Sequence, residues 1–216
     1  MKKLHWEILD EQRKVVFEKL LAFRRMGYLS GGTSLALQIG HRVSYDFDIF
    51  CGKEISDALP LKVKKVLPVK EVLVNNSDEF TFFTEGEIKI SFIYYPFNLR
   101  KYSVDMEGAP LKILSPLGIA LAKAYALNRR SAWRDYVDVY FILKKEIATI
   151  GQIIEKAEEV FDGLFNEKLF LSQLLYTEDI SEDEILQTEL LEQVSFEEIK
   201  GFFRDQIDKY LESKKL

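Results

Sequence analysis

One cysteine, two histidines and five prolines in 216 residues close off several architectures at once. A lone cysteine, Cys51, admits no intrachain disulfide and suits a reducing compartment, so a cytoplasmic location is expected. It reads as a small buried hydrophobe rather than a reactive thiol. His5 and His41 are too few for a histidine-rich zinc site. No apolar stretch approaches the roughly 20 residues needed to span a bilayer, and no membrane partner is expected. The opening MKKLHWEILDEQRK is interrupted by acidic residues and lacks a small-residue cleavage site, so it reads as a helix of the mature chain. Positive charge is not in excess: 30 Lys and Arg against 35 Asp and Glu give a net charge of -5. That balance argues against non-specific duplex binding by the whole surface, yet leaves room for a local basic cleft. Repeats and low-complexity tracts are missing too. What remains is a globular composition, 47% apolar and 30% charged, long enough for one large domain or an α+β domain with a helical appendage.

Apolar residues recur at helical spacing from His5 to Met26, through Leu9, Val15, Val16, Leu20, Leu21 and Phe23, and predict a surface-packed helix. A short strand over Gly27–Ser30, two glycines and the run Ser34–Ile39 then read as strand, glycine turn and helix start. After a connection at Gly40, His41 and Arg42, residues Ser44–Cys51 alternate as a strand. A short helix is expected over Lys53–Leu59 and apolar β-type residues over Leu61–Val74. Turn signals at Asn75–Asp78 and Glu85–Gly86 separate strands Phe80–Phe83 and Glu87–Tyr95, an antiparallel meander. Another strand is expected over Tyr102–Met106. Ser115–Pro116 opens a helix reaching Leu127, Ser131 caps the next, and Ser195 with Glu198 makes a capping box for the last. The seam at Glu146–Gly151 suggests two parts: a core with its first flanking helices over 1–146 and a helical subdomain over 147–216.

The chemistry concentrates between Gly31 and Asp48. Asp46 and Asp48, two apart on a strand, point the same way and can share divalent cations. Like charges held this close are unfavourable unless a cation or base compensates. A double glycine lets backbone approach a phosphate closely. Arg42, between the two halves, is suited to contact phosphate or to pair with the aspartates, whereas His41 is expected to fix the loop. Singly, these features also fit a solvent-facing edge strand and a plain tight turn; together they favour a phosphate- and metal-handling site. GGTSLAL lacks the later glycine of a dinucleotide fingerprint and the lysine of a P-loop, so another phosphate geometry is required.

The run GGTSLALQIGHRVSYDFDIF resembles the first motif of the nucleotidyltransferase-like AbiEii/AbiGii toxin family, within the polymerase-beta-type nucleotidyltransferase superfamily. Ile88–Phe92 stands where that family carries its next sheet element. SPLGIALAKAYALNRRSAWRDYVDVYFIL resembles its helical lysine and arginine-aspartate motifs, so the resemblance covers Gly27 to Leu143. It implies an α+β fold, a nucleotidyltransferase-like mixed sheet flanked by helices with a helical C-terminal portion. It further implies that Gly31, Gly32, Thr33 and Ser34 hold nucleotide phosphates and that Asp46 and Asp48 hold magnesium. Lys123 would approach the triphosphate, and Asp135 or Asp138 would take part or orient basic residues such as Arg134. The implied substrate is a nucleoside triphosphate, the acceptor an RNA, such as transfer RNA, or a protein, and a further partner a cognate antitoxin.

One departure stands out. IKISF places Ser91 where many active relatives carry a third carboxylate, and Glu87, of the same strand parity, is the one nearby substitute. Two functions therefore stay open: a toxin-like nucleotidyltransferase, or a catalytically weak or inactive nucleotide-binding or interaction protein on the same fold. Arg42, Lys123, Arg129, Arg130 and Arg134, if gathered in a basic cleft, would favour the enzyme.

Overall fold

The N-terminal segment does not run as one helix from His5 to Met26. In the computed structural model, which describes residues 3–215, a 3-10 turn at Trp6–Ile8 precedes α1 (Glu11–Lys19), and another follows at Leu20–Phe23. Asp10 explains the break: its carboxylate accepts the Arg13 backbone N–H and starts the helix there. β1 (Gly27–Ser30) leads straight into α2 (Gly31–Ile39), which ends on the left-handed Gly40. β2 (Phe47–Cys51) is shorter than its alternation predicts. The Asp46 carbonyl accepts from the Thr33 hydroxyl, which draws the segment before Phe47 toward α2. α3 (Leu59–Lys64), with a proline in its first turn, replaces the helix expected at Lys53–Leu59.

β3 (Val69–Asn75), β4 (Glu79–Thr84) and β5 (Lys89–Tyr94) form the expected antiparallel meander. β6 (Ser103–Val104) is a shorter strand than expected, and β7 (Ile113–Leu114) was not anticipated. Among the described residues these strands form one mixed sheet ordered β3-β4-β5-β2-β1-β7-β6, with β2 parallel to β5 and β1 parallel to β7. Leu29, Phe47, Ile49, Phe80, Phe82, Ile90, Phe92 and Ile113 enter a core with Phe17, Leu20, Phe23 and Val63. Phe17 stacks on Phe47 at 5.7 Å, and Phe23 meets Phe92 edge-on at 5.0 Å. Each fully buried side chain of this size stabilises the fold by about 1.5–3 kcal/mol. The intervening residues occupy the opposite face, where Ser30, Asp48, Ser91 and Thr81 stand side by side across four strands.

Two compact units emerge, Met1–Ser115 and Pro116–Leu216, so the division falls ahead of the seam expected at Glu146–Gly151. The second unit holds α4 (Pro116–Leu127), α5 (Trp133–Lys144), α6 (Ile150–Phe161), α7 (Glu167–Leu175), α8 (Glu182–Leu186) and α9 (Phe196–Ser213). Aromatic contacts explain why α4 and α5 group with the later helices. Tyr125 stacks on Phe161 at 4.5 Å, Tyr140 meets Phe202 edge-on at 4.9 Å, and the Tyr136 hydroxyl lies 2.8 Å from the Tyr176 carbonyl. α5 is not capped by Ser131; the Glu184 carboxylate accepts the Trp133 N–H at 3.0 Å instead. Ser195 does cap α9, but Glu198, rather than completing a box, accepts from the Tyr140 hydroxyl at 3.2 Å. The architecture is α+β. Among the described residues no helix is long and apolar enough to cross a membrane.

Candidate functional site

The start of α2 is built around two glycines for separate steric reasons. Gly31 sits at φ +68, and a Cβ there would collide with the Asp48 carboxylate. At Gly32 a Cβ would strike the Arg42 guanidinium. Only a hydrogen side chain lets the first helical turn lie against both charged groups. Ser30, the residue before the helix, makes no capping bond with its side chain. Its Oγ is buried and has no partner among the described residues. The first-turn N–H groups thus receive no side-chain cap from Ser30, and such groups bind anions readily.

Two hydroxyls expected to hold phosphate are turned to other work. Thr33, 2% exposed, donates to the Asp46 carbonyl and shares a 2.9 Å hydrogen bond with Ser44 Oγ. Ser34 is fully buried and donates to the Leu114 carbonyl at 2.9 Å, which also accepts from Gln38 Nε2 at 2.8 Å. Both side chains fasten α2 to its neighbours, leaving Gly31, Gly32 and the Thr33 backbone as the phosphate-facing candidates. Arg42 is 3% exposed, donates to the Val43 carbonyl at 3.0 Å and lies against Gly32. His41 is fully buried, in keeping with a structural place.

Asp46 lies just before β2 and Asp48 within it, both half-buried. Lys89 Nζ stands 2.9 Å from Asp46 Oδ2, with side chains 35% and 31% exposed. This lysine supplies the compensating charge that two neighbouring carboxylates demand. Lys89 shares the strand parity of Ser91 on β5. Ser91 pairs in register with Asp48 and is 4% exposed, so a neutral hydroxyl occupies the position beside the aspartate. Glu87 is no substitute: it sits in a turn at φ +57, before β5 begins, and its carboxylate pairs with Lys70. Among the described residues no cluster of three His, Cys, Asp or Glu is arranged to hold a metal. Two carboxylates nonetheless fit magnesium, which is commonly held by one or two carboxylates together with substrate phosphates.

The second unit gathers its own charged group. Lys123 Nζ lies 2.5 Å from Asp135 Oδ1 and 3.0 Å from Asp138 Oδ2, and Arg130 reaches Asp135 Oδ2 at 3.1 Å. Asp135 is 2% exposed and Asp138 fully buried. Two cations and two anions cancel, which is how buried carboxylates are tolerated. Arg134, on α5, is exposed. Arg129 lies over the Tyr125 ring at 3.5 Å and donates to the Tyr125 and Leu164 carbonyls, so its guanidinium is engaged within the unit.

The profile of the family described as "Nucleotidyl transferase AbiEii toxin, Type IV TA system" matches residues 19–213. An uncharacterized protein of Aquifex aeolicus (strain VF5) is 28% identical over 221 residues, covering 99% of this chain and 100% of its own. The solved structure of MenT4, a nucleotidyltransferase toxin from Mycobacterium tuberculosis, is similar with a TM-score of 0.58 at 15% identity, over 90% of this chain and 80% of that one. A candidate nucleotidyltransferase from H. pylori gives a TM-score of 0.57 at 20% identity, over 95% and 98% of the two chains. These two likenesses are of fold. The profile match runs through both units and includes the glycine turn, the aspartate pair and the buried lysine, so the chain belongs to the nucleotidyl transferase AbiEii toxin family.

Proposed function

We propose that this protein carries out magnesium-dependent nucleotidyl transfer, moving a nucleoside monophosphate from a nucleoside triphosphate to a hydroxyl of an RNA, such as transfer RNA, or of a protein. A bacterial cytoplasm and a cognate antitoxin belong to the same reading. One observation carries it: the Asp48 carboxylate touches the left-handed Gly31 at the start of α2. A metal-bound polyphosphate presents cation and anion within a few ångströms of each other. A carboxylate beside helical N–H groups offers each its preferred partner.

In this reading the backbone of Gly31, Gly32 and Thr33 holds phosphate oxygens and Arg42 offsets their charge. Asp46 and Asp48 would hold magnesium, which when bound neutralises phosphate charge and assists the attacking oxygen. Lys123, Asp135 and Asp138 pair with one another inside the second unit. The acceptor hydroxyl releases its proton to solvent as its oxygen bonds to the α-phosphorus and the bond to the bridging oxygen breaks, and pyrophosphate leaves. Catalysis of this kind is mainly positioning and charge stabilisation.

A second reading, nucleotide binding without transfer, is favoured by Ser91, whose neutral side chain stands in register beside Asp48. Calorimetric titration of each triphosphate, with and without magnesium, separates the possibilities when native protein is compared with Asp46→Asn and Asp48→Asn. Magnesium-dependent binding lost in both variants supports the site, and a radiolabelled transfer screen then decides between enzyme and binder. Absence of binding to every triphosphate by folded native protein would sink both readings.

A further inference from the structure

On the sheet face that carries Asp48, one row further along the strands, polar side chains give way to aromatic and aliphatic ones. Tyr28, Phe50 and Ile93 stand in register there, two residues and hence about 7 Å beyond Ser30, Asp48 and Ser91. The Phe50 ring stacks on Tyr95 at 4.3 Å, and Tyr95 meets Phe97 edge-on at 5.4 Å. Tyr28, Tyr95 and Phe97 line a cleft of about 650 Å³, a size typical of small-molecule sites. Arg25, Lys53 and Arg100 stand on its rim, all exposed, against one lining carboxylate, Glu54. The cleft is therefore cationic in a chain of net charge -5. Cys51, also lining it, is held protonated by burial, which pushes its thiol up to about 11, so it adds neither charge nor a nucleophile.

Half-buried rings with a guanidinium rim match one kind of ligand. Every nucleobase offers a π-face to an aromatic ring, and every nucleotide carries phosphate for arginine. An acidic peptide would use the cations but leave the rings unused. We propose that this cleft binds an unpaired nucleotide, its base against Tyr95 and Phe97 and its phosphate toward Arg25 and Arg100. Resting on the nucleotidyl-transfer reading, the cleft takes a nucleotide of the acceptor, apart from the triphosphate at α2. Such a nucleotide comes either free or as an unpaired residue of an RNA strand.

The test measures binding of AMP and of a six-residue oligoadenylate to the full chain in excess EDTA, which silences magnesium-dependent triphosphate binding. Phe97→Leu should weaken binding about tenfold. Arg100→Ala, at an exposed position, should weaken it several-fold and reduce the salt slope by about 0.7. Asp48→Asn should leave it unchanged, and both cleft variants should keep magnesium-dependent triphosphate binding. Equal affinity for the two probes would identify a free nucleotide as the ligand, and binding of the hexamer alone an RNA strand; both support the cleft. Failure of native protein to bind either probe would overturn the proposal, as would binding that resists both cleft variants. If triphosphate binding persists meanwhile, the active-site reading survives that loss.

Discussion

Two groups of charges in this molecule are made from the same residue types and solve opposite problems. At the start of β2, Asp46 and Asp48 are partly open to solvent, and Lys89, 35% exposed, neutralises Asp46. In the helical unit, Asp135 and Asp138 are almost wholly buried, and Lys123 and Arg130 cancel them. Under the proposed function the first group receives a cation; the charges of the second are paired with one another. Paired carboxylates therefore say little until their counter-charges are located, and exposure separates a pair that can coordinate from one that holds a helix pair together.

The strongest way to break this comparison is to remove a lysine from each group. Lys123→Met should cost about 3–5 kcal/mol of stability, because two buried carboxylates lose a partner. Lys89→Met should cost under about 1 kcal/mol, as solvent screens an exposed pair. Urea denaturation of both variants measures the contrast, and equal losses would erase it. Next, Asp48→Asn should lower magnesium-dependent triphosphate affinity at least about 100-fold with little change in unfolding midpoint. Gly31→Ala should cost about 1–3 kcal/mol through its left-handed backbone and, by displacing the Asp48 carboxylate, weaken triphosphate binding in the same titration. Ser34→Ala should cost about 1 kcal/mol for one buried hydrogen bond while triphosphate affinity holds, since its hydroxyl serves the Leu114 carbonyl.

The smallest effect lies outside both groups, at Glu167. Burial alone would raise its carboxyl pKa, but bonds from Lys214 and Tyr210 outweigh burial and bring it below the ordinary 4.5. A depressed folded pKa stabilises above the unfolded pKa and is lost as pH falls through the folded value. Native protein should therefore lose slightly more stability on acidification below about pH 4.5 than Glu167→Gln, which thermal melts across that range can follow.

Local signals were legible in the chain, and remote ones were not. Alternation over Ser44–Cys51 put Asp48 in a strand, and the double glycine marked the start of α2, because both depend on near neighbours. The Lys89–Asp46 pair was hidden because a whole hairpin separates β2 from the strand that lies beside it. The hydroxyls of Thr33 and Ser34 looked like phosphate ligands until their partners, 13 and 80 residues away, were known. β7 is too short to leave a pattern and exists through pairing with β1, where the Leu29 N–H donates to the Lys112 carbonyl at 2.8 Å. The unit boundary escaped because the rings that draw α4 and α5 to α6 and α9 meet only in three dimensions.

The Ser34–Leu114 fastening also has a bearing on synthesis. Contacts of long sequence separation form late because chain closure must precede them. During translation the beginning of α2 would leave the ribosome well before Leu114 exists to anchor it, and before Ser91 can settle beside Asp48. A nascent chain ending short of β7 thus carries the residues of the centre without its geometry. The order of the chain itself would delay assembly of the candidate site until the first unit has been made.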